Sequence, residues 1–248
     1  MIFTPLASSS AGNAYLVTDG ESRILLECGI PFRRLQRILS FTAHELDGVL
    51  ITHEHKDHSA SVEKMLECGV PVYASPGTVR TLELDGVVPF LLSVGRNMGP
   101  PFRVGSFTVV PFRTFHDAAE PVGYLLRGRD GEQLVFATDT VGLNYTFRNV
   151  QIYALEANYQ EERLALSTRI PPERIKRIRQ THMEIGRLCE YLARQDLTGC
   201  REIWLLHLSD SSSNEGYFVE RVRQTVGPGV TVRAAPKAAD EKGGKRRG

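Results

Sequence analysis

The stretch Thr52-His53-Glu54-His55-Lys56-Asp57-His58 constrains this chain more than any other, because it follows directly on the apolar run Gly48-Val49-Leu50-Ile51. Such a run reads as a buried strand. Imidazoles and a carboxylate at its end would lose hydration on burial, and a divalent cation satisfies such donors best. Side chains of an extended backbone alternate in direction, so His53 and His55 point the same way and can share one ion. Asp57 and His58 stand where the chain enters a helix expected over residues 59–68. They face elsewhere, and that suits a second ion beside the first. The bland alternative is a polar loop with chance histidines. Against it, three of the chain's seven histidines fall within this one stretch.

A chain of 248 residues fits one α/β or all-β domain. We expect a single domain over residues 1–235 and a disordered basic tail over 236–248, where Lys, Gly and Ala dominate. The formal net charge of +1 gives no global attraction to nucleic acid or an anionic membrane, so any such binding must come from a local patch. Cys28, Cys68, Cys189 and Cys200 form no CxxC pair. They are expected as reduced thiols of a cytoplasmic protein. No segment reaches the roughly 18 apolar residues of a membrane span, and the first residues lack a basic, then apolar, leader pattern.

The first half reads as short strands. Residues 15–17 and 23–26 flank the turn Asp19-Gly20, and Ser8-Ser9-Ser10-Ala11-Gly12-Asn13 before them is either a plain turn or a loop offering Ser9 and Asn13 to an anion. Pro31 opens a helix, Thr42 and Glu45 resemble a capping box, and His44 is expected at the surface. The order strand 48–51, helix 59–68, strand 70–74 implies neighbouring parallel strands. Further strands are expected at 107–112, 122–126, 133–136, 152–155 and 203–206, a basic helical stretch at 173–194, and a last helix at 214–226.

Ligand-type residues recur where these apolar runs stop: His53 and His55, then His116, Asp139 and His207. Alone, Asp139 or His207 would read as a cap or a satisfied core residue. Adjacent strand ends of an α/β layer converge on one edge, so together they describe one pocket.

This ordered series resembles that of the metallo-β-lactamase-fold hydrolases over residues 1–226. The context Ser8–Asn13, His116–Tyr124, Ala137–Thr140 and Glu156–Asn158 is closest to the YycJ/WalJ-type members, which are related to phosphodiesterases such as RNase Z. The resemblance implies an αββα sandwich of the α/β (α+β) class, two mixed sheets face to face with helices on the outer faces. It also implies two divalent cations, Zn2+ foremost and Mn2+ or Fe2+ next. His53, His55 and His116 would hold one, Asp57, His58 and His207 the other, and Asp139 would bridge them. Asp57 and His182 are the implied catalytic residues. His182 would contact a phosphate or protonate the leaving oxygen, or else simply cap a helix. The chain departs from the family at Glu27, where many relatives have Asp, and at Tyr159-Gln160, where relatives carry His-Asp.

Arg169, Arg174, Lys176, Arg177, Arg179 and Arg187 surround His182 in the sequence, as either a solvated helix face or a seat for a polyanionic strand. The YycJ/WalJ resemblance implies DNA exonuclease activity, which agrees with that stretch; with Arg177 and Arg179 as substrate contacts, the expected activity is phosphodiester cleavage in DNA or RNA, exonuclease-like, by a metal-bridging hydroxide. Two alternatives stay open: a hydrolase of thioesters, lactones or β-lactams, and an idle nucleic-acid-binding or regulatory protein.

Overall fold

The computed structural model describes residues 1–84 and 98–237. Alternation along its strands sorts the apolar side chains into three layers. The first sheet runs β1 (Ile2–Ser9), β2 (Gly12–Thr18), β3 (Arg23–Leu26), β4 (Gly48–Leu50) and β5 (Val72–Tyr73) in that spatial order. The pairs β1–β2 and β2–β3 are antiparallel, and β3, β4 and β5 are parallel. The second sheet holds β6 (Phe102–Val104), β7 (Phe107–Arg113), β8 (Val122–Arg127), β9 (Gln133–Ala137), β10 (Ile152–Glu156), β11 (Glu202–Leu206) and β12 (Thr231–Ala234). Strands β6 to β9 are antiparallel neighbours, and β9 to β12 are parallel.

Tyr15, Val17, Leu26 and Leu50 of the first sheet meet Tyr124, Leu134, Phe136 and Ile152 of the second in a buried layer. The opposite face of the first sheet, with Leu25 and Val49, packs against α1 (Phe32–Ile38), α3 (Val62–Glu67) and α4 (Pro76–Thr81), with the short α2 (Lys56–Ser59) at the strand ends. Val135, Tyr153 and Leu155 line the other outer face. Beyond α5 (Glu161–Ala165) and α6 (Pro172–Thr181), that face is covered by α7 (Ile185–Leu192) and α8 (Glu215–Val226). Each large apolar side chain so buried is worth about 1.5–3 kcal/mol, so the three layers dominate the stability. The result is the expected αββα sandwich.

Four local expectations are corrected. β1 was not foreseen because Pro5 and polar Thr4 and Ser8 mask its pattern; it is an edge strand with a bulge between Pro5 and Ala7, where proline is tolerated. The helix expected at 59–68 starts earlier and breaks, because the Ser61 N–H donates to the Cys28 carbonyl and its hydroxyl to the Ile30 carbonyl (3.0 and 2.7 Å). Thr42 and Glu45 form no capping box: the Thr42 hydroxyl donates to the Leu39 carbonyl, and Glu45 pairs with Arg23. The basic stretch 173–194 is two helices, with Glu184 capping the second through the Gly186 and Arg187 amides. The tail expected to be disordered lies, from residue 238, outside the described residues.

Directly beneath the histidine-rich stretch, the buried Tyr124 hydroxyl donates to the Ile51 carbonyl across the sheets at 2.6 Å. Tyr124→Phe leaves that carbonyl unpaired and lowers unfolding free energy by about 1–3 kcal/mol, measurable by urea denaturation; an unchanged midpoint would refute the bond's role.

Candidate active site

The strands β7 and β9 both run opposite to β8, so the C-terminal ends of β7, β9, β10 and β11 share one edge. The ends of β3 and β4 meet it from the other sheet. Each end delivers one polar residue: Glu27 after β3, His53 after β4, His116 after β7, Asp139 after β9, Glu156 closing β10 and His207 after β11. Three of these, Glu27 (φ 62°), Asp139 (φ 49°) and His207 (φ 54°), hold left-handed backbone. For residues other than glycine this costs of order 1–3 kcal/mol each, and it concentrates at functional sites. The turn re-aims each side chain into the space between the sheets.

The structure brings together His53, His55 and His116 as one donor group, and Asp57, His58, Asp139 and His207 as a second. His53 Nε2 lies 3.0 Å from His55 Nδ1, which lies 3.3 Å from His116 Nε2. In the second group His58 Nε2 stands 3.4 Å from both Asp57 Oδ2 and Asp139 Oδ1. Asp139 faces both groups, with Oδ2 3.6 Å from His116 Nε2. The outer contacts fix ring orientation. His116 Nδ1 donates to the Thr181 carbonyl at 2.9 Å, and His58 Nδ1 faces Glu27 Oε1 at 3.5 Å. Glu27 Oε2 accepts from the Thr52 N–H.

A third group was not foreseen: Glu156 with Asp139, His182 and His207. Glu156 is fully buried, and its Oε1 sits 2.7 Å from His182 Nδ1 and 3.1 Å from His207 Nδ1, while Oε2 accepts from the Thr140 and Met183 amides. The available signal was the one that found Asp139, a polar residue ending a wholly apolar run. His182 enters because the chain leaves α6 in extended conformation at that residue.

The expected substrate contacts divide. Arg177 lines the pocket with Arg174, His182 and Ser10, and grips Asp117 through both carboxylate oxygens (2.6 and 3.0 Å). Arg179 points away and pairs with Glu161. Ser9 and Asn13 are buried under the site: Asn13 Nδ2 donates to the carbonyls of Ser9 and Asp57, so these residues hold the Asp57 turn from beneath. Gly29 belongs to the same weave, since a Cβ there would meet the Asp57 carbonyl oxygen at 1.7 Å.

Burial and paired charges set the electrostatics. Burial pushes the Glu27 carboxyl up, and it pushes His53 and His116 down toward neutral imidazoles able to ligate. Burial would also raise Asp139, but His207 and His58 hold it well below the usual carboxylate range. Against burial, Asp139 and its neighbours push His58 well up and His207 up to about 10. The buried His207 Nε2 has no hydrogen-bond partner among the described residues. Clustered carboxylates and imidazoles, with a buried ring nitrogen that has no hydrogen-bond partner among the described residues, make a donor set that fits divalent cations.

Residues 22–207 match the sequence profile of the family described as the Beta-lactamase superfamily domain. The chain belongs to that family. It is 29% identical to Exodeoxyribonuclease YycJ of Bacillus anthracis over 84% of its own length and 82% of the relative. It is 27% identical to Exodeoxyribonuclease WalJ of Streptococcus pneumoniae over 64% and 63% of the two chains. Among solved structures, the metallo-beta-lactamase fold protein YhfI of Bacillus subtilis superposes with a TM-score of 0.67 at 15% identity, covering 94% of this chain and 96% of that one. Human tRNase Z, short form, gives 0.64 at 16% identity over 96% and 97%. The fold is therefore the metallo-β-lactamase fold.

Because Asp139 and its neighbours hold protons on His58 and His207, a cation that takes these rings must displace them. Zinc affinity accordingly rises with pH between 6 and 9, by up to about tenfold per unit for each proton released. Titration calorimetry in buffers of different ionisation enthalpy checks this; zinc uptake without proton release refutes it. Glu27→Gln, which removes the charge facing His58, weakens zinc binding about 10–100-fold in competition with a chromophoric chelator.

Proposed function

We propose that this protein is a cytoplasmic, metal-dependent phosphodiesterase acting on nucleic-acid strands. The observation that carries the reading is the pairing of two donor groups, joined by Asp139, with a His182–Glu156 pair on the same pocket. His53, His55 and His116 would hold one cation, and Asp57, His58 and His207 the other, with Asp139 between them. Two cations bound there would supply Lewis acidity toward a phosphoryl oxygen and a water acidic enough to attack near neutral pH. Nitrogen-rich donors favour Zn2+, and the mixed oxygen set also accepts Mn2+ or Fe2+.

The chain's own residues do the rest. Glu27 and the Thr181 carbonyl orient His58 and His116. Glu156 accepts a hydrogen bond from Nδ1–H of His182, an acceptor that favours the ring's imidazolium form, whose Nε2–H can pass to a leaving oxygen. Arg174 on the pocket wall supplies positive charge where a phosphate chain would lie, beside Arg177, whose guanidinium is held by Asp117. That the similar relatives are named exodeoxyribonucleases supports the choice of a nucleic-acid substrate. Four free cysteines suit a reducing compartment, and no described helix is long and apolar enough to cross a membrane.

His182→Ala lowers kcat about 10²–10⁴-fold on oligonucleotides, whose leaving oxygen needs a proton, and far less on bis-p-nitrophenyl phosphate, whose leaving group does not. Asp57→Ala abolishes both activities. The panel includes single-stranded DNA, RNA, a thioester and a β-lactam; hydrolysis of the carboxylic substrates alone would overturn the proposal.

A further inference from the structure

Phe115, beside the candidate metal site, is 37% exposed, although it precedes a residue buried among the donors. Its backbone is fixed at both ends, the N–H donating to Thr140 Oγ1 and the carbonyl accepting from the Val141 N–H (3.1 and 3.0 Å). The ring is therefore displayed on rigid chain, and it stands where two hollows meet. The first, about 610 Å³, is also lined by His116 and Arg113, and the Arg113 guanidinium lies 5.9 Å over the Phe115 ring. The second, about 390 Å³, is lined by Phe115 with Arg187 and Arg194. His116 also lines the pocket that holds the candidate metal donors, so the order along this face is the candidate reaction centre, His116, the exposed Phe115 ring and then two exposed arginines.

We propose that Phe115 is a stacking platform for an unpaired base of single-stranded DNA, with Arg187 and Arg194 holding the phosphates that follow. The inference rests on the phosphodiesterase reading and specifies its substrate. A flat ring binds any base through its π face, and away from a duplex end a base offers that face only once it has left the stack. Arg187 and Arg194 face a single acid in that hollow, Glu190, so the wall retains positive charge. The site thereby selects for an unpaired strand without reading its sequence.

The test compares wild type, Phe115→Ala, Phe115→Trp and the double variant Arg187→Glu/Arg194→Glu on a single-stranded DNA oligonucleotide, the same sequence as duplex, the same sequence as RNA, and bis-p-nitrophenyl phosphate. Phe115→Ala and the arginine variant raise KM for the single strand about tenfold or more relative to bis-p-nitrophenyl phosphate, whereas Phe115→Trp keeps the wild-type ratio. A ratio unchanged by Phe115→Ala, or a duplex cleaved as well as the single strand, overturns the platform. Equal effects on RNA would overturn its restriction to DNA. Anisotropy of a labelled oligonucleotide reads binding directly. If wild type hydrolyses neither phosphodiester, the functional reading fails, and binding still decides the platform: tenfold weaker affinity in Phe115→Ala supports it, equal affinity refutes it.

Discussion

Four carboxylates, those of Glu27, Asp57, Asp139 and Glu156, are gathered at one edge of the sandwich, three of them almost wholly out of contact with water. Everything else about the site follows from compensating that charge. An uncompensated buried ion costs several kcal/mol, comparable with the net stability of a domain. The imidazoles interleave with the carboxylates for this reason: His58, His182 and His207 each touch an acid and His116 a carbonyl. The apolar layers make the cost bearable. They also supply the rigid strand ends without which the donors would relax apart into solvent.

Much of this was legible in the sequence. The donors were readable because their chemistry is unusual at the end of an apolar run, and the strands because their core-facing residues alternate or cluster. What could not be read depended on partners distant in the chain. Ser61 breaks a helix by binding carbonyls at positions 28 and 30, and nothing in its neighbourhood announces that. Asn13 looked like a ligand contact because it is polar and sits in a glycine-bearing turn, yet its amide turns inward to the backbone. Arg179 and Arg177 are two residues apart, and only the packing of α6 decides that one lines the pocket while the other meets Glu161. Glu156 was missed for lack of a histidine neighbour in sequence; its neighbours are spatial.

The comparisons separate the fold from its use. Structures at 15–16% identity share the sandwich over almost the whole chain, so the layered pattern tolerates nearly complete replacement of side chains. Such a scaffold leaves substrate choice to residues that hold nothing else up. On this chain Arg174, Arg187, Arg194 and the ring of Phe115 stand on helices or loops outside the sheets, where they can differ without disturbing the core.

The left-handed backbone at Glu27, Asp139 and His207 bears on how such a chain tolerates change. At each of these positions glycine or asparagine would relieve the backbone, but it would also leave a buried partner unpaired: His58 for Glu27, His58 and His207 for Asp139, Asp139 and Glu156 for His207. The three strand ends are therefore tied together: a chain that gave up one of them for glycine would relax one turn and strand the charge of its neighbours in the interior.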